Sequence, residues 1–353
     1  MMGVSGRNIA AGTVMIALFS ACSNDDENST DNNSGGNSSS SAENTPVEEN
    51  NSNAEAEEEI FTAPLTGLEA EEEELNHRAV GVMIENSISA RPQTSLHEAD
   101  IVYEVLSEGN ITRLLAVFHS EKPEEIGPVR SARPYYINLN NGYGAVYAAA
   151  GGSPDAYDMI ENGEVDYVSG LEYEGVHFYR SDERQAPHNM YTSFDRLAEA
   201  AEELGYEWEN IPPEDLSFSE EEAEGLEADT VNISYGSSSN NVQYNYEEDL
   251  QGYVRSVGGE QINDLQTNEP VSPRNLLVVE AEHQVTDDSG RRFIDIEAGG
   301  GAYLLQDGSA RELSWENQEG RLVPVENGEI VPFQPGKTWI NIVEDMEEDV
   351  SLN

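Results

Sequence analysis

Cysteine is almost missing: Cys22 stands alone in 353 residues. No disulfide can form within the chain, and a chain of this length builds a core without one. Lysine is nearly as scarce, since only Lys122 and Lys337 among the 17 basic residues are lysine and the rest are arginine. Positive charge as a whole is short. The 70 acidic residues leave a formal net charge of -53, which excludes nucleic-acid binding as a function class, because that rests on Lys and Arg meeting phosphates. Long apolar runs are lacking as well. The run over residues 10–19 is half of the roughly 20 residues that a spanning helix needs.

That short run ends in Phe19-Ser20-Ala21-Cys22, with small residues just before the cysteine, as signal-peptide cleavage requires. An ordinary secretory signal or a short membrane anchor are the alternatives. The run is too short for the anchor, and an ordinary signal leaves Cys22 without a purpose. Cys22 is therefore expected to be the lipid acceptor of a bacterial lipoprotein signal over residues 1–22, with diacyl attachment adding about 0.8 kcal/mol of membrane binding per buried CH₂. The expected location is the outer, extracytoplasmic face of the cytoplasmic membrane.

Residues 23–59 hold no aromatic and no basic residue. Such a segment buries too little apolar surface to offset its ordering entropy, so residues 23–60 are expected to be an acidic, disordered tether. The tether holds only 11 of the 70 acidic residues. The folded part keeps the others, a pattern expected of adaptation to high salt, where screening relieves carboxylate repulsion.

The body is expected to be α+β. Over residues 61–206, apolar strands (79–84, 101–106, 114–118 and 145–150) alternate with helices that have explicit end signals. Ser153, Pro154 and Gly163 bracket one helix, Ser193 and Gly205 a second, and Pro134 and Gly142 a third. An acidic junction with Pro212-Pro213 follows over residues 207–228. From there to residue 353 the pattern has period two, with hairpin signals at Asp307-Gly308 and Asn327-Gly328. This predicts a mostly antiparallel β domain whose meander includes residues 293–296 and 338–343.

Four segments then occur in order: Ser89-Ala90-Arg91-Pro92-Gln93, Ala99-Asp100-Ile101-Val102-Tyr103-Glu104, Gly127-Pro128-Val129-Arg130-Ser131-Ala132-Arg133, and Tyr179-Arg180 through Ala186-Pro187-His188-Asn189. Together with Asn275-Leu276-Leu277-Val278 and Pro335-Gly336-Lys337-Thr338-Trp339-Ile340 they resemble the YerB-like lipoproteins of Gram-positive bacteria. The resemblance runs from about residue 65 to residue 343 and implies a two-domain lipoprotein of unknown function. It also implies a histidine at position 149, where this chain has Ala149; one candidate base is thereby lost.

Catalytic signatures are sparse. His97-Glu98 begins a zinc-protease string, but Ile101 stands where the second histidine is needed. A lipidated Cys22 leaves no thiol, and no G-x-S-x-G elbow or phosphate-cradling loop occurs. Asp100 and Glu104 are a formal carboxylate pair for glycoside hydrolysis. The histidines show no metal-ligand spacing, so neither a metal nor a cofactor is expected. The arginines say more. Arg91, Arg130, Arg133, Arg180 and Arg184 sit in the shared segments, with Arg113 nearby, and guanidinium forks bind carboxylate or phosphate as lysine cannot. Arg130 and Arg133 also precede the Pro134 helix, whose free N–H groups favour an anion. The competing role for each arginine is an internal ion pair. The expected function is thus a non-enzymatic envelope lipoprotein that binds a cell-wall polymer or a membrane-bound envelope protein through these arginines. The alternative is a hydrolase or transferase acting on wall polymers, with Asp182 and His188 as acid-base candidates.

Overall fold

The structure, a computed structural model, describes residues 61–353; Cys22 and the tether lie outside the described residues. Helix ends fall where their local signals put them. Ser153 Oγ accepts from Ala156 N at the start of helix Pro154–Glu161, Ser193 Oγ accepts from Arg196 N at the start of helix Phe194–Leu204, and Gly205 closes the latter at φ 78°. Helix Pro134–Asn141 has proline in its first turn and Arg133 at its N-cap. Its Tyr135 and Tyr136, with Tyr143 and Tyr147 beyond, are buried. They are core residues and offer no stacking surface.

The chain is mostly strand. One twelve-stranded sheet has the order Glu329–Ile330, Arg321–Glu326, Ser309–Gln318, Gly300–Gln306, Asn275–Glu280, Thr338–Val343, Ile101–Glu108, Ile111–Phe118, Val80–Glu85, Val146–Ala149 and Tyr167–Ser169, with Leu226–Glu227 added beside Ser309–Gln318. A second sheet runs Glu260–Gln261, Gly252–Val257, Val242–Glu247, Thr230–Ile233, Val350–Leu352. Both expected hairpins form, at Asp307-Gly308 and Asn327-Gly328, with φ positive at all four residues.

Two strands depart from the expected meander. Arg292–Ile294 pairs instead with His283–Val285 in a separate ribbon. Thr338–Val343 is parallel to Asn275–Glu280 on one side and to residues 101–105 on the other. Its six residues are all buried, which suits a central strand covered on both faces and not a half-exposed meander strand. The large sheet thus runs through both halves of the sequence, and all described residues belong to one compact unit.

Candidate functional site

Val80–Glu85, Val146–Ala149 and Tyr167–Ser169 are parallel neighbours, and their carboxyl ends form the kind of edge where ligands bind in such sheets. The motif segments are woven onto this edge by backbone bonds. Arg130 N donates to Met83 O at 2.8 Å, Ala132 N to Gly151 O at 2.8 Å and Val129 N to Met190 O at 2.7 Å. Glu85, the last residue of its strand, is 3% exposed. Its Oε2 lies 2.6 Å from Arg130 Nε and 3.8 Å from His188 Nδ1, and its Oε1 accepts from Ser87 N at 3.1 Å. Ser87 Oγ is 3.5 Å from the same His188 Nδ1. A nucleophile–base–acid relay needs hydroxyl and carboxylate on opposite ring nitrogens. Here both face Nδ1, so the cluster holds a charge pair in place and does not form a relay. Asp182, the other acid-base candidate, is exposed, and the carboxylate facing His188 is that of Glu85.

Most of the expected arginines gather around residues 85–92, each with its own partner. Arg91 donates to Asn86 O, Asn86 Oδ1, Ser239 O and Asn240 Oδ1, and burial, then the nearby Arg255, push its pKa down to about 10. Arg184 donates to Ser89 O at 3.0 Å and to Pro92 O. Arg180 forks onto Glu174 at 2.8 and 2.9 Å and reaches Asn189 Oδ1. These contacts fix loops to one another.

Arg133 is elsewhere. It is 4% exposed, its Nη1 donates to Ala132 O at 2.7 Å, its Nη2 pairs with Glu108, and its Nε has no partner. Arg113 joins the same Glu108 at 3.3 Å. Burial and then Arg113 lower the pKa of Arg133. The helix it opens has no side-chain cap and no acid in its first turn, so its first N–H groups are unanswered. They border a cavity of about 210 Å³ that Arg133, Asn138, Ser153 and Arg292 help to line. Arg292 donates from Nη2 to Gly109 O at 3.1 Å, and its buried Nε also lacks a partner. Carboxylates stand on the rim, but two are engaged: Asp287 with Arg291 at 2.6 Å, and Asp295 Oδ1 with the N–H groups of Glu297 and Ala298.

Asp100 and Glu104 offer no hydrolytic pair. Both are fully buried: Asp100 accepts from His119 N and Ser120 N, and Glu104 accepts from Arg255, Trp339, Thr112 and Asn86. Arg255, also fully buried, lies 4.6 Å over the Trp339 ring. The pair joins the two halves, and it was visible in part: Tyr253, Arg255 and Val257 share one face of their strand, so a charge on that face needs a buried partner.

Residues 65–207 match the family described as "Protein of unknown function (DUF3048) N-terminal domain", and residues 231–340 match its C-terminal domain. "Putative lipoprotein YerB" of Bacillus subtilis (strain 168) is 44% identical over 287 residues, 81% of this chain and 87% of that protein. The chain belongs to the YerB-like family. A crystal structure of YerB from Bacillus subtilis superposes with a TM-score of 0.78 at 43% identity, covering 83% of this chain and 99% of that one. In YerB-like terms, Arg133 comes from the N-terminal domain segment and Arg292 from the C-terminal one, and the cavity draws on both. Arg292 and Glu85 lay outside the motif segments. Glu85 had one signal, an acid ending a six-residue buried strand.

Proposed function

We propose that this YerB-like chain is an envelope lipoprotein, held through lipid on Cys22 at the outer face of the cytoplasmic membrane, whose body binds an anionic ligand. Segment 23–60 is the tether in this reading, residues 61–206 an α/β segment, residues 207–228 the junction and residues 229–353 the β-rich segment. A wall polymer or a membrane-bound envelope protein is the partner. One observation carries the proposal: two guanidinium Nε groups, on Arg133 and Arg292, are buried without partners beside an uncapped helix N-terminus. An oxyanion satisfies all of these donors together. No helix among the described residues is long and apolar enough to cross a membrane.

The test is retention of the full chain by wall sacculi and by membrane extract in molar salt. A charge-assisted hydrogen bond contributes about 1.5–3 kcal/mol, so Arg292→Met is expected to weaken retention about 10- to 100-fold, with only a small fall in melting temperature from the lost bond to Gly109 O. Retention by neither material, or equal retention of parent and variant, sinks the proposal. Muropeptide profiles are expected to stay unchanged on incubation with the protein, because His188 lacks a relay; turnover would favour the hydrolase instead.

The carboxylate excess of the body belongs to the same reading, as an adaptation to salt. Raising salt from about 0.1 M to about 1 M shortens the screening length from about 10 Å to about 3 Å. The expected result is a melting temperature that climbs by several degrees over that range. A flat or falling profile removes the adaptation from the account.

A further inference from the structure

A second and larger cavity, of about 440 Å³, lies beside Pro335-Gly336-Lys337. It shares no lining residue with the arginine cavity, so nothing said of it rests on the anion proposal. Two polar groups in its lining lack partners. Gln334 is 5% exposed, and its Nε2 is engaged by Asp307 and by Glu221 O, while its Oε1 has no donor. Ser272 Oγ is buried and bonds to nothing. Buried polar atoms are rarely left so, and each such atom calls for an explanation.

The rest of the lining is preset. Arg274 is held by Asp307 Oδ1 at 2.8 Å and Gln251 O at 2.9 Å, and Lys337 Nζ donates to His97 O at 2.7 Å. Gly336 has φ 144°, and a Cβ there would stand 2.5 Å from Arg274 Cβ; glycine is what lets the backbone pass so close to that side chain. Leu68 and Leu250, 45% and 52% exposed, add apolar faces.

We infer that this cavity binds a neutral, hydroxyl-rich sugar of about disaccharide size. An anion here meets Glu220, Glu222 and Asp307, and a cation meets Arg274 and Lys337, so neither sign of charge is favoured. Sugar hydroxyls donate and accept at once. They answer an orphan acceptor, Gln334 Oε1, and an orphan hydroxyl, Ser272, while the C–H face of a ring lies on Leu68 and Leu250. The volume is within the range of small-ligand sites.

The full chain is titrated with di-N-acetylchitobiose as the neutral probe, with putrescine and inorganic phosphate as charged comparisons, by calorimetry and saturation-transfer NMR. Saturable binding of the disaccharide alone is expected. Ser272→Ala is expected to weaken it about tenfold while leaving the melting temperature unchanged or higher, since the lost hydroxyl has no protein partner. Leu250→Ala, at a half-exposed position that does not test folding, is expected to weaken it severalfold. The inference is overturned if the disaccharide does not saturate at millimolar concentration, if both variants bind as the parent does, or if a charged probe binds in its place.

Discussion

Arg255→Met is expected to destabilise the protein by about 3–5 kcal/mol, the cost of breaking a buried ion pair by removing one partner. The physical reason lies in what stays behind. Glu104 has no exposure, and Arg255 Nη2 reaches both its oxygens, at 2.9 and 2.8 Å. Without the guanidinium the carboxylate keeps Asn86, Thr112 and Trp339 as donors but loses its paired countercharge, with only Arg91, not bonded to it, left nearby. The contact of Arg255 with the Trp339 ring goes as well. Glu104→Gln alone should cost a similar amount, because it strands the cation. The double variant Glu104→Gln/Arg255→Met should then be more stable than either single one, since no unpaired charge remains. Denaturation midpoints of the four proteins, measured in one salt, check this. Additive losses would mean that the pair acts through packing and not through charge.

The second large effect concerns acid. His119 is fully buried, and its Nε2 lies 3.0 Å from Leu75 O and 3.1 Å from His77 O. Burial, and then the neighbouring His77, push its pKa down from 6.5 to about 4. The unfolded chain therefore takes up a proton near pH 6.5 that the folded chain refuses until about pH 4. This contribution to stability is complete above pH 6.5, is lost as pH falls towards 4, and is constant below that. A shift of this size corresponds to about 3 kcal/mol. In His119→Gln an amide replaces the ring as donor and has no proton to bind. The stability curve of this variant should fall less than that of the parent between pH 6.5 and 4, by about that amount. Parallel curves would show that other groups set the acid limb.

Helix ends and hairpins were legible in the sequence because their causes are local. Ser153, Ser193, Gly205 and Asn327-Gly328 act within a few residues, and the structure places each as its signal predicts. The neighbours of Thr338–Val343 were not legible, since one lies more than two hundred residues away in sequence and an apolar run does not name its partner. The arginines divide in the same way. The shared segments pointed to these residues, but neither their grouping near residues 85–92 nor their partners could be read from them. Arg91 and Arg184 are held by carbonyls and amides, Arg130 and Arg180 by carboxylates, and Arg133 alone of the expected five lines a cavity with a buried, unbonded Nε. That distinction depends on burial and geometry, which residue type does not encode.

The central place of Thr338–Val343 has a consequence for the order in which the body is made. A ribosome delivers Ile101–Glu108 and Asn275–Glu280 long before the strand that fits between them. Until residue 343 emerges, each presents an unpaired apolar edge. Val350–Leu352, which closes onto Thr230–Ile233, comes later still. The large sheet therefore stays open at its centre until nearly the whole body has been made.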